Sequence, residues 1–416
     1  MRVAWFSPRP PARSGIAAYS AELLPALRRS FEIDWFDDSD AHDFVWKHQR
    51  KPYDLTVYQL GNARCHDYMW AYLVRYPGLV VLHDARLHHA RARHLLAQGR
   101  ADDYRREFEF DHPDAPAAAA EYAVDGLSGS IYYFWSMLRV PVITARLVAV
   151  HNARVAADLA REYPDAEVET IRMGVRASAP PEHARSTIRA AWNLPTGAIV
   201  FAAFGKVTAE KRVGAILDAL AALRRDGIDA RLLLVGDIGE YSTLAADVDR
   251  LNIANVVRVT GYVADDEIDA YLAAADACLC LRWPTALETS ASWLRCLAAG
   301  RATVISDLAH LVDVPSGVAL RVDLLDEART LVDAMRRLAT DPDLRAAVGR
   351  AGLEYFTAHH TIDLMTAGYV RLLSRAADRT VRIVAGLPAH FTDDHGEEAR
   401  AVARQFGVAI DILEPT

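Results

Sequence analysis

Short apolar runs alternate with segments of helical periodicity along most of the chain. The runs are almost wholly apolar, as expected for strands of a parallel sheet that is covered on both faces. The predicted strands are Arg2–Phe6, Glu32–Phe36, Leu55–Tyr58, Leu79–Leu82, Leu147–Val150, Val168–Ile171, Ile199–Phe204, Arg231–Val235, Val256–Thr260, Ala277–Leu281 and Thr303–Ser306. The predicted helices are Ile16–Arg29, Val213–Arg225, Tyr241–Leu251, Asp266–Ala274, Thr289–Ala299, Leu325–Ala339, Pro342–Phe356 and Ile362–Ala376. This alternation predicts an α/β protein with doubly wound sheets.

The alternation is interrupted at Ser178–His183, where prolines and small residues fit no regular element. We therefore predict two similar domains, residues 1–178 and 183–360, that face a central cleft. The helix at Ile362–Ala376 is expected to cross back and complete the first domain. Residues 380–416 predict an extra strand–helix–strand tail. Its elements are expected at Val381–Ala385, Asp394–Phe406 and Val408–Leu413.

Composition and charge narrow the function classes. A chain of 416 residues can hold two domains, and 52% hydrophobic with 25% charged residues is ordinary for a soluble globular protein. The net charge of −8 argues against a general nucleic-acid binder. No signal peptide is visible, and no apolar stretch reaches the roughly 20 residues that span a bilayer. The four cysteines fit neither a zinc site nor a disulfide framework, so we expect a cytoplasmic protein.

A basic segment lies near the middle of the first predicted domain. The region from Asp84 to Arg139 is predicted to be mostly helical, and its first part, from Arg86 to Arg106, is rich in arginine and histidine. One interpretation is a solvated helix face. The other is a surface that meets an anionic acceptor or the inner face of a membrane. The sequence leaves both interpretations open.

Glu288 follows the predicted strand Ala277–Leu281 and precedes a predicted helix that ends at Gly300. Thr289 and Ser290 are good N-cap residues for that helix. Open parallel sheets bind ligands at the carboxyl ends of their strands, and a helix N-terminus can hold an anion. Glu288 is therefore a candidate site carboxylate. The alternative, which is the more frequent one for such a residue, is that Glu288 only places a negative charge at the start of the helix.

Two lysines follow the predicted strand Ile199–Phe204. Gly205 allows a tight turn, and Lys206 and Lys211 stand between the end of the strand and the next helix. Two cations at this edge can neutralise a diphosphate by charge-assisted hydrogen bonds. They can also stabilise a departing nucleoside diphosphate in a transition state. The alternative is a polar loop whose lysines are solvated.

The first domain offers two further candidates. His83 ends the buried strand Leu79–Leu82, so it is predicted to point into the cleft. Asp84 either orients His83 or caps the next turn. Gly15 precedes a helix and can let a phosphate or sugar approach the backbone. A structural histidine and an ordinary turn glycine are the alternatives.

The order of these segments resembles the retaining glycosyltransferases of family 4, which have the GT-B fold of two Rossmann-like domains. The resemblance covers roughly residues 1 to 376. The matching segments are Ser14-Gly15-Ile16, Val81-Leu82-His83-Asp84, Val148-Ala149-Val150-His151-Asn152, Ile171-Arg172-Met173-Gly174-Val175, Gly205 through Lys211, Leu234-Val235-Gly236-Asp237, Val259-Thr260-Gly261-Tyr262-Val263 and Glu288 through Gly300. The resemblance implies transfer of a sugar from a nucleotide-diphosphate sugar, held by the second domain, to a saccharide, lipid-linked or other acceptor, held by the first domain. Such enzymes act in the biosynthesis of cell-surface polysaccharides, glycolipids and other glycoconjugates.

The resemblance also implies roles for individual residues. Glu288 would hydrogen-bond the hydroxyls of the donor sugar, and His83 would hydrogen-bond the transferred sugar rather than abstract a proton. Lys211 would stabilise the leaving diphosphate. The residues expected around the donor and its diphosphate are Gly15, Gly205, Lys206, Lys211, Thr289 and Ser290. Those expected on the nucleotide side are Thr260, Gly261, Tyr262, Val263 and Arg295.

No metal and no other cofactor is expected. An Asp-x-Asp sequence occurs at Asp38-Ser39-Asp40, in the half of the chain that is not predicted to bind the donor. The two lysines after the strand Ile199–Phe204 would take the place of a metal ion at the diphosphate.

The sequence departs from the family pattern at two positions. Arg295 stands where the family has a second glutamate, which typically holds the nucleotide ribose, so Arg295 is expected to pair with an acid or a phosphate instead. Lys206 replaces an arginine, which keeps the charge but loses the bidentate fork. Two other function classes therefore stay open: a GT-B epimerase or phosphorylase, and a non-catalytic sugar-nucleotide-binding partner of another transferase.

Overall fold

Two six-stranded parallel sheets form the framework of the chain. A computed structural model describes residues 1–116, 118–177, 180–239 and 241–393, together with 402 and 405. The first sheet contains β1 (Arg2–Phe6), β2 (Glu32–Phe36), β3 (Leu55–Leu60), β4 (Leu79–Leu82), β5 (Leu147–Val150) and β6 (Val168–Thr170). The second contains β7 (Ile199–Phe204), β8 (Ala230–Val235), β9 (Val257–Val259), β10 (Ala277–Cys280), β11 (Ala302–Ser306) and β12 (Leu320–Val322).

Helices connect most of the strands. Before β7 they are α1 (Gly15–Leu27), α2 (Asp43–Arg50), α3 (Trp70–Leu73), α4 (His88–Ala97), α5 (Ala101–Asp111), α6 (Ala119–Val124), α7 (Arg139–Thr144), α8 (Ala153–Glu162) and α9 (Ala184–Ala191). After β7 they are α10 (Val213–Arg225), α11 (Leu244–Arg250), α12 (Ile268–Ala274), α13 (Ala291–Ala298), α14 (Glu327–Thr340), α15 (Pro342–His359), α16 (Ile362–Ala377) and α17 (Ala389–Thr392).

The central strands are apolar because both of their faces are covered. In β7, Val200, Ala202 and Phe204 pack into one core cluster, while Phe201 and Ala203 pack into another. Successive side chains of a strand point to opposite faces, so this division places one core on each side of the sheet. Both neighbours of β7 pair with it in parallel, and the same holds for β1. The predicted doubly wound α/β architecture is confirmed.

Each sheet contains one reversal in the order of its strands. The order is β2-β1-β3-β4-β5-β6 in the first sheet and β12-β11-β10-β7-β8-β9 in the second. The chain therefore changes direction between β1 and β3, and again between β7 and β10. At such a reversal the loops that follow the two strands diverge and leave a crevice, which is where open α/β sheets bind ligands.

The chain divides into two compact units. Unit 1 comprises Met1–Val150, Val155–Thr170 and the chain from Val370 onward, whereas unit 2 comprises His151–Arg154 and Ile171–Tyr369. The division falls ahead of the predicted linker and again within α16, which contributes to both units. The assignment of acceptor and donor roles to the two domains stays a prediction.

Short elements account for most of the differences from the sequence predictions. The patterns do not predict β12, α2 or α9, because three residues in β12 and eight in each helix hardly establish a period. The predicted strand at Val381–Ala385 is wrong, since this stretch has no regular structure. Ile383 is 99% exposed, so the alternating apolar side chains of this stretch do not pack on a sheet. The other two predicted elements, Asp394–Phe406 and Val408–Leu413, lie outside the described residues apart from Val402 and Gln405.

The arginines of the basic segment pair with acids inside unit 1. Arg91 is buried, its Nε donates to Glu107 Oε2 at 2.7 Å, and its guanidinium stacks on Trp70 at 4.2 Å from the ring centre. His390 of α17 also bonds Glu107, at 2.7 Å. Neither a solvated helix face nor a membrane surface describes Arg91, which is a structural residue. No helix in the described part of the chain combines the length and apolarity needed to cross a membrane.

We predict that Arg91→Met destabilises unit 1, because it leaves the buried Glu107 carboxylate without its main cation. Breaking a buried pair in this way typically costs about 3–5 kcal/mol. A matched control is Arg106→Met, which removes a half-exposed pair with Asp103 that is worth about 0–1 kcal/mol. Urea unfolding of both variants is the measurement, and equal losses would contradict a structural role for Arg91.

The same pair has a pH dependence with a definite sign. Burial raises the pKa of Glu107, but the charge and hydrogen bonds of Arg91, with His390, outweigh it, so the net pKa is lowered. The pair therefore stabilises the fold above the unfolded-state pKa of about 4.3, and this stability is lost as the pH falls through the lowered value. Arg91→Met removes the main cause of the lowered pKa, so the acid-induced loss of stability that comes from Glu107 should be reduced in urea unfolding repeated across this pH range.

Candidate functional site

The strand reversal of the second sheet brings two chemistry-bearing loops together within unit 2. One loop follows β7 and begins at Gly205, and the other follows β10 and contains Glu288. A backbone hydrogen bond links the loops, since the Trp283 N–H donates to the Glu210 carbonyl oxygen at 2.7 Å. The two segments that the sequence singled out separately are therefore neighbours at one ligand-binding edge.

A cavity opens at this edge and encloses about 680 Å³, part of which is continuous with solvent. Its wall combines apolar side chains of β10 and β11 with polar groups from the two loops. The polar and charged residues of the wall include Lys211, Arg282, Thr285, Glu288, Ser290 and His310. The cavity carries cations beside a carboxylate, and a few convergent polar groups of this kind can orient a small-molecule ligand.

Gly205 has the left-handed backbone expected of a tight turn, with φ at +88°. A Cβ at this position would lie 2.6 Å from Lys211 Nζ, so only glycine leaves room for the ammonium group. Gly236, after β8, supports the same turn. Its own Cβ would lie 2.4 Å from the carbonyl oxygen of Gly205, a backbone atom that cannot move aside.

Lys211 is a cation buried at the end of β7. Its Nζ donates to the carbonyl oxygen of Phe204 at 2.6 Å. Burial lowers the pKa of Lys211 to about 7, and the nearby positive charge of Arg282 contributes in the same direction. Both effects disfavour the charged form, and an anion in the cavity would reverse them.

Lys206 takes a different position from Lys211. It is exposed, and its methylene stem lies over Gly239, where a Cβ would come within 2.6 Å of Lys206 Cε. Gly239 follows β8, on the side of β7 away from β10. Lys206 is not among the residues that line the cavity beside β10.

Two side chains hold the Glu288 carboxylate. Arg282 Nε lies 2.8 Å from Glu288 Oε1, and the Thr285 hydroxyl donates to Glu288 Oε2 at 2.8 Å. The same Thr285 oxygen accepts the N–H of Leu287 at 2.9 Å. This bond supports Leu287 in the left-handed region, with φ at +63°, which is strained for a side chain of this kind. The carboxylate is thus fixed in the cavity wall.

The N-cap of α13 comes from Ser290, whose Oγ accepts the Trp293 N–H at 3.3 Å. The helix begins at Ala291, two residues later than predicted, and Thr289 and Ser290 both line the cavity. The hydrogen bond that caps the helix is therefore not made by Glu288, which contacts Arg282 and Thr285 instead.

His310 is a site residue that the sequence reasoning missed. It lies shortly after β11, lines the cavity and is buried, and its Nδ1 has no hydrogen-bond partner in the described part of the protein. Burial lowers the pKa of His310, while the carboxylate and backbone of Glu288 act in the opposite direction. Asn152, which belongs to the same unit, donates to the His310 carbonyl oxygen at 2.5 Å. The strand-end rule that selected His83 would also have selected His310.

The predicted nucleotide-side residues follow β9. The Thr260 hydroxyl donates to the Gly261 carbonyl oxygen at 2.7 Å and accepts the Gly236 N–H at 3.2 Å, so it joins this segment to the turn after β8. Tyr262 is exposed, and Val263 packs against the core beneath. Arg295 forms an ion pair with Asp265 at 3.2 Å, which confirms the expectation that it pairs with an acid.

His83 lies in unit 1. Its Nε2 lies 2.7 Å from Gln59 Oε1, and its ring meets the Tyr19 ring edge-on with 4.8 Å between the centres. Asp84 accepts the Asn62 N–H at 2.7 Å, which favours the turn-capping alternative for this carboxylate. His83 follows β4 at the carboxyl edge of the first sheet.

Gly15 is the first residue of α1, and the Ser14 side chain caps this helix by accepting the Ile16 N–H at 3.2 Å. A Cβ at Gly15 would meet nothing within 4 Å, so the fold itself does not require glycine here. The open space leaves the backbone accessible, as the sequence interpretation assumed.

Among the described residues, no group of three or more His, Cys, Asp or Glu side chains is arranged so that it could hold a metal ion. In the Asp38-Ser39-Asp40 segment, Asp40 is paired with Arg9, which also binds Asp37 at 2.5 Å. Asp40 of this segment therefore already has an internal cation.

Three comparisons with known proteins bear on this site. Residues 198–341, which contain both loops of the cavity, match the family model described as Glycosyl transferases group 1. The chain is 27% identical over 255 residues to a 2-deoxystreptamine glucosyltransferase of Streptomyces kanamyceticus, covering 58% of this chain and 63% of that protein. It is 29% identical over 206 residues to a GDP-mannose-dependent alpha-(1-6)-phosphatidylinositol dimannoside mannosyltransferase of Mycobacterium tuberculosis, covering 48% and 51%. The matches thus span less than two thirds of either relative.

Solved structures with the same fold cover nearly the whole chain. Sucrose-phosphate synthase from Thermosynechococcus elongatus superposes with a TM-score of 0.67 at 16% identity, over 90% of this chain and 98% of that one. HepE of Anabaena, in complex with UDP and glucose, superposes with a TM-score of 0.65 at 14% identity, over 90% and 99%. These likenesses show that the fold is GT-B.

We predict that Ser290→Ala lowers the stability of unit 2 by about 1 kcal/mol, because the N-cap hydrogen bond of α13 is lost. Ser292→Ala is the matched control, since Ser292 is the second residue of the same helix and is not its N-cap. Urea unfolding of both variants is the measurement. Equal midpoints would mean that Ser290 does not cap α13.

Proposed function

We propose that this chain transfers a sugar from a nucleoside-diphosphate sugar to an acceptor, since its residues 198–341 match the family model described as Glycosyl transferases group 1. We propose transfer with retention at the anomeric carbon, to a saccharide, lipid-linked or other acceptor. One observation carries the proposal: the buried cation Lys211 and the fixed carboxylate Glu288 share one cavity at the strand reversal of unit 2. A cation suits a diphosphate, and a carboxylate suits the hydroxyls of a sugar.

The proposed roles follow the chemistry of each group. Lys211 neutralises the diphosphate and stabilises it as it departs, which lowers the barrier only if this contact strengthens in the transition state. Glu288 accepts hydrogen bonds from the sugar. The segment Thr260–Val263, with Arg295, serves the nucleotide. His83 hydrogen-bonds the transferred sugar, and no metal ion takes part, so activity should survive EDTA.

The biological setting belongs to the same proposal. We place the reaction in the synthesis of a cell-surface polysaccharide, glycolipid or other glycoconjugate, in the cytoplasm at the inner membrane face. The donors to test first are taken from the relatives and the solved structures, whose names include a glucosyltransferase, GDP-mannose and UDP.

We predict that a nucleoside diphosphate raises the melting temperature of the protein. A ligand at 100 times its dissociation constant adds about 2.7 kcal/mol of stability. A thermal-shift screen with UDP, GDP, UDP-glucose and GDP-mannose is the measurement. Lys211→Met should weaken the best ligand at least tenfold, which is about 1.4 kcal/mol. If no nucleotide shifts the wild-type transition, the proposed donor site is wrong.

Two rival functions are separated by turnover. An epimerase converts the sugar nucleotide without an acceptor, and a phosphorylase requires phosphate, so product analysis with donor alone and with donor plus phosphate distinguishes them from a transferase. A non-catalytic partner protein binds the sugar nucleotide but transfers nothing under any of these conditions.

We also predict proton uptake when a nucleoside diphosphate binds at pH 8. With a pKa of about 7, Lys211 is mostly neutral at this pH, and a bound diphosphate should restore its charge. Uptake should approach one proton at pH 8 and decline below pH 7, where Lys211 is already charged. Calorimetry in buffers of different ionisation enthalpy measures it, and Lys211→Met should abolish it whereas Lys206→Met should not.

The same pKa has a consequence for stability. The folded-state pKa of about 7 lies below the unfolded value of about 10.4, so between these pH values the unfolded chain binds more protons. Stability should therefore rise with pH across this window, and the rise should be missing in Lys211→Met.

A further inference from the structure

Arg282 is a second cation in the wall of the cavity that Lys211 lines. It lies two residues beyond β10, beside the strand reversal, and lines the same cavity as Lys211 and Glu288. Its N–H donates to Ser306 Oγ at 3.0 Å, which ties the Arg282 backbone to the end of β11. The base of the side chain is therefore held by two neighbouring strands.

The guanidinium group is only partly used by the protein. Its Nε faces Glu288 Oε1 at 2.8 Å, and among the described residues Nη1 and Nη2 have no hydrogen-bond partner. The side chain is 30% exposed and that of Glu288 is 20% exposed, so this pair lies at the cavity wall rather than in the core. An arginine presents five N–H donors in a fixed plane, and it can bind one anion through Nε and another through the Nη groups.

Lys211 and Arg282 are close enough to influence each other. The charge of Arg282 contributes to the lowered pKa of Lys211, although burial is the larger cause. Two cations that face one cavity repel each other unless an anion lies between them. Glu288 offsets the charge of Arg282 alone, because its contacts are with Arg282 and Thr285. A dianionic group would satisfy both cations at once.

Lys206 does not offer the same geometry. It is exposed, it lies over Gly239 on the β8 side of β7, and it does not line this cavity. A lysine also acts as a point charge, whereas the arginine fork can bind two phosphate oxygens side by side.

We propose that Arg282 is the second cation of the diphosphate site, acting with Lys211, and that one guanidinium group binds both the diphosphate and Glu288. This inference rests on the proposed function, since it assigns a ligand to the same cavity. It adds a physical link between the phosphate position and the carboxylate position: the plane of one side chain fixes both.

The test is calorimetric binding of UDP and GDP to the full chain at pH 6.5. Arg282→Gln should weaken the nucleotide that binds wild type by at least tenfold, and Arg282→Lys should give an intermediate loss because charge remains without the fork. Lys206→Gln should cost less than Arg282→Gln. Arg336→Gln is the matched control for loss of an arginine of unit 2, since Arg336 pairs with Asp226 at 2.7 Å and neither residue lines the cavity.

A double variant separates direct binding from neutralisation of Glu288. If Arg282 only screens the carboxylate, Arg282→Gln with Glu288→Gln should bind as tightly as Glu288→Gln alone, and the proposal is overturned. If Arg282 contacts the diphosphate, the double variant should still bind at least tenfold more weakly than Glu288→Gln. Melting temperatures without ligand show whether each variant is folded, and Arg282→Lys supplies the test if Arg282→Gln is not.

The outcomes also distinguish failure of the proposed function from failure of the role proposed for Arg282. Wild type that binds neither UDP nor GDP overturns the proposed function with the inference that rests on it. Wild-type binding that resists Arg282→Gln but falls with Lys211→Met or Lys206→Gln overturns the inference alone.

Discussion

Burial of the Lys211 ammonium group is the constraint on which the candidate site depends. Removing a charge from water is costly unless a nearby group compensates for it, and the contact given to this nitrogen is a carbonyl dipole, that of Phe204. Room for the ammonium exists because Gly205 has no side chain, and the turn at Gly205 closes because Gly236 has none either. These two glycines thus leave space for a cation at a place where the protein stabilises its charge poorly.

The sequence was sufficient for the architecture because the decisive signals are long and redundant. Continuous apolar strands such as β7 are recognisable without context, since a parallel sheet covers both of their faces. The strand reversals were not predictable, because sequence order does not reveal on which side of β7 the chain places β10. The predicted strand in the tail was wrong for a related reason. An alternating stretch forms a strand only where it can pair with a sheet, and the exposure of Ile383 shows that this stretch packs on none.

The sequence was enough to identify the loops that form the site, but not the contacts that their side chains make. The strand-end rule selected Lys211 and Glu288, and both line the cavity. It could not distinguish Lys206 from Arg282, because their directions depend on which neighbouring strand each loop leans toward. His310 follows the same rule and was missed for want of a motif. The ion pair between Arg91 and Glu107 shows the opposite error, in which charged residues taken for a surface are part of the core.

The two hydrogen bonds of the Thr285 hydroxyl run in one direction, toward Glu288. The hydroxyl receives a hydrogen from the Leu287 backbone and passes its own to Glu288, so a three-member relay runs from amide to hydroxyl to carboxylate. Such relays polarise along their length, which strengthens the bond that fixes the carboxylate, and the ionised carboxylate remains an acceptor only. Any group that extends the relay must therefore bring a hydrogen of its own. An alcohol can do so and an ether cannot, so a ligand that bonds Glu288 as we propose would need a free hydroxyl at that position.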